Sequence, residues 1–342
     1  MTSETEVLVV GGGPVGLAVA IEARLAGLDV VVAEPREGAI DKACGEGLMP
    51  GALPALARLG VAPSGMPFHG VAYLDGRRRV EHRFADGPGL GVRRTTLHAA
   101  LRSRAAALGV VFAEERIESL TQRAGVVTAG GIRASWLVGA DGLHSAIARE
   151  TRLARPTPRV RRRFGQRQHF AVAPWSEFVE VIWTPLGELY LTPVASDTVG
   201  VALLARRGVR FDDALAAAPD LVERLAGAAA LSELRGAGPL RQLTRRRTAG
   251  RVLLAGDASG YVDALTGEGL RIGFAQARAV VAAMVAGDPG AYERAWLAET
   301  RDFRRLTGTL VRLATSPLRG AVVPLASRLP GVFASAVERL AR

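Results

Sequence analysis

The chain has 342 residues and a net charge of +11, with 49% hydrophobic and 23% charged residues. That composition is globular, too long for one small core and suited to two closely joined domains. Its one cysteine, Cys44, excludes a disulfide framework and fits a reducing cytoplasm. No secretory leader is expected, because Glu4 and Glu6 lead directly into an apolar stretch. No uncharged apolar run reaches the ~18 residues of a membrane-crossing helix. The positive charge raises the question of a nucleic-acid partner. Yet Lys42 is the only lysine among the 44 basic residues. The clusters Arg77–Arg79, Arg161–Arg163 and Arg245–Arg247 are short and lack interleaved aromatics that would stack on bases. They are expected to be solvated surface charge, with no nucleic acid bound. An acidic protein, a phosphorylated substrate or an anionic membrane surface are the other uses for such charge.

Val7 to Val10 reads as a buried parallel strand. GGGPVG follows, with Gly11, Gly13 and Gly16 at the G-x-G-x-x-G spacing, and Leu17 to Gly27 then reads as a helix. Val30 to Val32 is a second strand, ending at Glu34. Gly11 permits a tight turn, Gly13 lets the backbone approach a pyrophosphate, and Gly16 lets helix and strand pack. The helix start, with Pro14 and Val15 in its first turn, offers unpaired N–H groups to an anion. Glu34 can accept bonds from both hydroxyls of an adenosine ribose and would repel a 2′-phosphate. Strand, loop, helix, strand and acid in register predict a dinucleotide site. The loop alone does not separate FAD from NAD.

The stretch from Asp41 to Gly47 is a loop containing Lys42, Cys44, Gly45 and Glu46. Its close glycines suit backbone passing something bulky. Pro50 to Leu59 is helical. Val71–Leu74 and Val80–Phe84 flank Asp75-Gly76 as a hairpin, the first piece of a second, antiparallel layer. Val92 to Gly109 returns to helix, with Thr95 or Thr96 as its cap. Trp136 to Ala140 is a buried strand running into Asp141-Gly142. Residues 155–165, with Pro156 and Pro158, read as a crossing between domains. From Gln168 the period becomes two, and Val179 to Trp183, Glu188 to Pro193 and Thr198 to Leu204 read as an antiparallel sheet. Phe211 to Leu234 holds one or two helices. Arg251 to Ala255 is a final buried strand meeting Gly256-Asp257, followed by a glycine-rich loop and a helix from about Gly269 to Ala286. The tail, Tyr292 to Arg342, is helical and broken by Pro317, Pro324 and Pro330.

Three markers in this order, GxGxxG, Asp141-Gly142 and Gly256-Asp257, resemble the FAD-dependent monooxygenases of the p-hydroxybenzoate hydroxylase type over about residues 5–285. The resemblance implies an α/β fold: a Rossmann-like FAD-binding domain interleaved with an antiparallel β-sheet substrate domain, plus C-terminal helices. Residues 1–70, 92–155 and 241–290 would form the first, 71–91 and 156–240 the second, and 291–342 the tail. It implies that Gly11, Gly13, Gly16 and Glu34 hold the ADP half of FAD. Arg94 and Asp141 would lie near the flavin, Asp257 on the ribityl chain, and Gly267, Glu268 and Gly269 against the pyrimidine ring. His169, Trp183 and Tyr190 belong to the sheet that would roof the flavin, as substrate contacts or as core.

The sequence departs from the hydroxylase pattern. No proline precedes Gly267, and Ser145 to Arg149 is one residue longer than the usual S-x-x-R. Cys44-Gly45-Glu46-Gly47, the longer Asp141-Gly142 motif and GDASG look like the geranylgeranyl reductase and flavin halogenase branches, though the reductases' lipid-binding signature, rich in Tyr, Trp, Phe and Pro, is not evident. The reductase branch would place Cys44 near the flavin; its alternative is a small packing residue. The halogenase W-x-W-x-I-P motif is absent, Trp183-Thr184-Pro185 being the nearest stretch. No metal is predicted, since His69, His82, His98 and His144 lack ligand spacing. With one dinucleotide loop, NAD(P)H must bind transiently or a separate reductase must supply electrons. The first expectation is hydroxylation: O2 adds at the flavin C4a and one oxygen passes to an aromatic or polyketide ring. The second is reduction of C=C bonds in a prenyl or lipid substrate, with the Arg-dotted tail (Leu310 to Leu340) touching a membrane surface. The third is a flavin-binding redox sensor without turnover.

Overall fold

Val7, Leu8 and Val9 are fully buried because the strand Ser3–Val10 lies inside a parallel sheet covered on both faces. The computed structural model describes residues 3–157 and 162–342. In this sheet Val252–Leu254, Ile132–Gly139, Ser3–Val10, Val30–Ala33 and Val111–Ala113 run parallel side by side. On one face the helices Pro14–Leu25 and Gly269–Val285 pack together, with Leu17, Ile21, Phe274 and Val280 in a single core. On the other face Leu8, Leu137, Ile147 and Leu254 form a second core. The three markers, at Gly11, Asp141 and Gly256, all sit at carboxyl ends of neighbouring parallel strands, where such sheets bind ligands.

A second sheet has seven strands, in the order Arg235–Ala237, Arg163–Ala171, Thr198–Arg206, Gly187–Ala195, Val179–Trp183, Gly70–Leu74 and Arg79–Arg83. The hairpin at Asp75-Gly76 forms as expected, with Asp75 Oδ1 accepting the N–H groups of Arg77 and Arg78 at 3.0 and 2.8 Å. The layer is not wholly antiparallel, however. Gly70–Leu74 pairs parallel with Val179–Trp183, because the hairpin arrives from the nucleotide domain about a hundred residues before its neighbour. Glu180, on the polar phase of the alternation, is buried beneath Arg79 and Arg224, with its Oε2 accepting from Trp175 Nε1 at 3.0 Å.

Other local expectations are corrected by tertiary contacts. The helix expected from Val92 spans Arg94–Ala107, and neither Thr95 nor Thr96 caps it. The Glu46 carboxylate reaches across from its loop and accepts the Arg94 N–H at 2.8 Å, supplying both a partner and a negative charge at the helix start. Pro324 does not break the tail; it lies in the first turn of Val322–Arg328, where its missing N–H costs no helical bond. The 211–234 region is helical at Phe211–Ala216 and Pro219–Arg224. Two of the arginine clusters are not simply solvated. Arg163 is buried, and Arg247 stacks on Trp296 at 4.1 Å to the ring centroid while pairing with Glu293. Arg161 and Pro158 lie outside the described residues.

The tail is bound to both sheets. In the helix Pro289–Ala314, Tyr292 Oη donates to the Leu254 carbonyl at 2.6 Å and Trp296 Nε1 to Ser259 Oγ at 2.8 Å. The final helix, Pro330–Ala341, returns to pack Phe333, Val337 and Leu340 among Met49, Phe68 and Phe84. Its Glu338 accepts from Ala85 N at 3.0 Å and bonds His82 Nε2 at 2.7 Å.

Candidate active site

The first strand ends at Gly11 in the left-handed region (φ +108°), where a Cβ would lie 2.5 Å from the Ala140 carbonyl. Only glycine tolerates both constraints. A Cβ on Gly16 would meet the Gly11 carbonyl at 1.9 Å, so the helix start can close on the turn only without a side chain there. Glu34, at the end of the next strand, is fixed across the loop: its Oε2 accepts the Gly12 N–H at 2.9 Å, and Arg36 Nε lies 2.7 Å from Oε1. Burial resists the Glu34 charge, but Arg36 and the Gly12 N–H outweigh it and hold the carboxyl below its ordinary value. His98 supports the loop from beneath. Burial holds its imidazole below the ordinary value, so it is neutral, with Nε2–H donating to the Gly12 carbonyl at 3.0 Å and Nδ1 accepting the Ile40 N–H at 3.4 Å.

A cavity of about 670 Å³ runs from this loop to the second sheet, within the ~300–1,000 Å³ usual for ligand sites. Gly11, Gly13, Pro14, Val15 and Glu34 line one end. Arg94, Asp141, Gly256 and Asp257 line the middle, and Cys44, Tyr190, Gly267 and Gly269 the far end. Asp141 Oδ2 accepts the N–H groups of Ala146 and Ile147 at 2.6 and 3.2 Å, while its Oδ1 is buried without a partner. Arg94 Nε is likewise buried and unpartnered. A buried donor and acceptor left open on cavity-lining residues ask for a polar ligand. Beyond Gly13 a Cβ would meet only Arg94 Nη2, at 3.9 Å, and beyond Gly267 nothing within 4 Å.

The family model for an FAD binding domain matches residues 4–301. The chain belongs to this family. Its FAD-dependent oxidoreductases include aromatic hydroxylases and halogenases, so the family and fold read from the three glycine and aspartate markers are both borne out. Menaquinone reductase from Mycolicibacterium smegmatis is 30% identical, over 86% of this chain and 80% of its own length. Dialkyldecalin synthase from Streptomyces rugosporus is 29% identical over 79% of this chain, which spans 63% of that protein. The structure of p-nitrophenol 4-monooxygenase from Pseudomonas putida has a TM-score of 0.82 at 19% identity, over 99% of this chain and 95% of that one; it shares the fold.

The FAD-binding cradle fits its cofactor. The open backbone at Gly11–Gly13 and the helix start suit the diphosphate, Glu34 the ribose, and the unpartnered Arg94 and Asp141 atoms the groups beyond it. Gly267 (φ +72°) and Gly269, the first residue of Gly269–Val285, present a helix start at the cavity's far end. Between them Glu268 turns away and is buried, paired to Arg271 at 2.9 Å; burial pushes its carboxyl up to about 7 despite that arginine. Since the folded value exceeds the unfolded one, the folded state holds the extra proton. Stability is therefore full below pH 4.5 and falls as pH rises towards about 7. Relative to Glu268→Gln, the wild-type melting temperature should decline across this window and run level above it. A constant difference between the two would refute the assignment.

The Cys44 loop is clasped to the roof. Glu46, in the left-handed region at φ +60°, donates its N–H to Cys44 Sγ at 3.4 Å, and its Oε2 lies 2.6 Å from His169 Nε2. His169 Nδ1 faces Arg167 Nη1 at 3.2 Å and Ser232 Oγ at 2.9 Å. Arg167 can only donate, so Nδ1 accepts and Nε2–H donates to Glu46. Arg167 also pairs with Asp41, and Thr192 Oγ1 donates to the Gly45 carbonyl at 2.8 Å. His169, expected as a substrate contact or core, does not line the cavity. Trp183 does not line it either: it packs behind Tyr73 with ring centroids 5.5 Å apart. Tyr190 does line it and donates to the Leu265 carbonyl at 3.0 Å, steadying the loop before Thr266. Sequence reasoning missed Tyr73, Tyr261, Val337 and Leu340, which also line the cavity. Only Tyr261 had a local signal, four residues beyond the Gly256-Asp257 aspartate.

Proposed function

We propose that this FAD-dependent oxidoreductase reduces a C=C bond of an apolar, prenyl-bearing substrate such as a prenylated quinone. The observation that carries the reading is the far end of the cavity. Two proton donors, Cys44 Sγ–H and Tyr261 Oη–H, line the same space as the aliphatic side chains Val71, Val181, Leu204, Leu240 and Val337. Burial raises the Tyr261 hydroxyl well above its ordinary value, and Asp257, Asp263 and Cys44 act in the same direction. Tyr261 therefore stays protonated and able to donate. FAD, when bound and reduced, would supply a hydride to one substrate carbon; Cys44 or Tyr261 would give the other carbon its proton, and solvent would restore the donor. The aliphatic wall holds the chain and excludes water. Support also comes from the 30% identity to a protein named for menaquinone, a prenylated quinone. NAD(P)H or a separate reductase would return electrons to the flavin.

A second reading, hydroxylation of an aromatic or polyketide ring with NAD(P)H and O2, is favoured by the rings of Phe68, Tyr73, Tyr190 and Tyr261 around the cavity, which suit stacking on a planar substrate. One experiment separates them. The chemically reduced protein is mixed anaerobically with a prenylated quinone, and the aerated protein with NADPH and phenols. In the first reaction, a gain of two hydrogens that persists after air has returned the quinol to the quinone, and so lies in the prenyl chain, supports reduction; gain of one oxygen in the second, with no such hydrogenation in the first, overturns it. Cys44→Ala combined with Tyr261→Phe should slow hydrogenation ~10²–10⁴-fold with flavin content unchanged. An undiminished rate would remove both residues from the proton step.

A further inference from the structure

The last two helical pieces, Pro317–Arg328 and Pro330–Ala341, meet at a bend of 102°. Along these two pieces and at their junction Leu318, Leu325, Leu329 and Val332 are 65, 50, 47 and 65% exposed. These are four of the eleven large hydrophobic side chains exposed among the described residues, in a segment of 25 residues, so the exposure is concentrated. Within the segment itself the exposed charge has one sign. Arg312, Arg328, Arg339 and Arg342 are exposed, and the only acidic residue after Asp302 is Glu338, already engaged by His82 and the Ala85 N–H. The same helices turn their other face inwards: Phe333 packs on Tyr73 at 5.0 Å between ring centroids, and Val337 and Leu340 line the cavity. The final helix is thus apolar towards the cavity, while the chain leading into it is apolar towards solvent.

We infer that this corner docks on an anionic phospholipid surface and brings a lipid-chain substrate to the cavity wall formed by Val337 and Leu340. Exposed leucines in a segment that also exposes arginines match the apolar interior and negative headgroups of such a membrane. A second copy of this chain on the corner would set the same arginines against each other. No single described helix is long and apolar enough to cross a membrane, and the 102° bend between these two short pieces suits a contact in the interface plane. The delivery of substrate rests on the proposed reductase reading; the docking does not.

The test is flotation of the flavin-loaded full chain with phosphatidylcholine vesicles, with and without phosphatidylglycerol. The wild type should float with the anionic vesicles and be released by salt. Leu325→Glu, Leu329→Glu and Val332→Glu together should abolish flotation while flavin content and melting temperature stay as in the wild type. If the triple variant loses flavin, Arg328→Glu with Arg339→Glu serves as the second variant and should lose anionic-vesicle binding alone. A wild type that stays with the pellet in both mixtures, a triple variant that floats unchanged, or a wild-type dimer dissolved by the triple variant would overturn the docking. Flotation without hydrogenation of a prenylated quinone would instead remove the reductase reading and leave the docking in place.

Discussion

Gly16→Ala is expected to weaken flavin binding roughly ten- to hundredfold while the protein remains folded. The new Cβ would lie 1.9 Å from the Gly11 carbonyl and 3.1 Å from its carbon, so backbone must move. Overpacking of this kind costs ~1–3 kcal/mol. Here the strain falls on the turn and the helix start that together form the anion cradle, and each ~1.4 kcal/mol is a factor of ten in affinity. Fluorescence titration of the flavin-free variant with FAD checks the affinity, and circular dichroism checks the fold. Wild-type affinity in the variant would show that the turn and the helix start do not act as one cradle. Gly308→Ala is the contrasting case. Gly308 lies within the helix Pro289–Ala314 with open space around it, and alanine there should stabilise the protein by ~0.5–1 kcal/mol.

Arg163→Met should be the most damaging single change to stability, at ~3–5 kcal/mol. Arg163, Glu188 and Asp263 are each at most 4% exposed. Arg163 pairs with Glu188 and lies 3.2 Å from Asp263. In the variant Arg319 still holds one Glu188 oxygen at 2.9 Å, and Asp263 keeps the Leu265 N–H at 3.1 Å, but no buried cation balances the pair. Burial already pushes both carboxyls above their ordinary values, with Arg163 as the main opposing influence. Without it both rise further. A carboxyl whose folded value lies above its unfolded one costs stability as pH rises. The deficit should therefore be largest at neutral pH and shrink as pH falls and the pair becomes neutral. Urea unfolding of both proteins across pH checks this, and a deficit independent of pH would refute it. Arg163→Met combined with Glu188→Gln and Asp263→Asn should recover much of the loss. Asp263 and Leu265 precede Thr266–Gly269, so the single variant should also perturb the bound flavin's absorption spectrum.

The nucleotide half was legible because each requirement is local. An apolar run at Val7–Val10 can be buried on both faces, and the glycine spacing follows from one turn and one helix start. Glu34 falls where a parallel strand of that length must end. The roof was legible only in part. The alternation over Val179–Trp183 gave the strand but not its parallel neighbour, because pairing direction depends on where Gly70–Leu74 enters the sheet. Nor does that alternation show that Trp175, Arg79 and Arg224 cover Glu180. The cap of Arg94–Ala107 was sought in Thr95 and Thr96, but comes from Glu46, 48 residues earlier in the chain.

By itself, then, the amino-acid order determined the FAD-binding family, the α/β plan, and the placing of Gly11 to Gly16, Asp141 and Asp257 at strand ends with Glu34 closing the second strand, because backbone geometry imposes these within a few residues of each strand end. Only the tertiary structure decided that His169 clasps Glu46 rather than lining the cavity. Only it brought Tyr261 into the same cavity as Cys44 and made Val337 and Leu340 part of that cavity's wall. Such pairings join segments up to some three hundred residues apart. They follow from how two sheets and a returning helix pack, and packing leaves no period or spacing in the sequence to read.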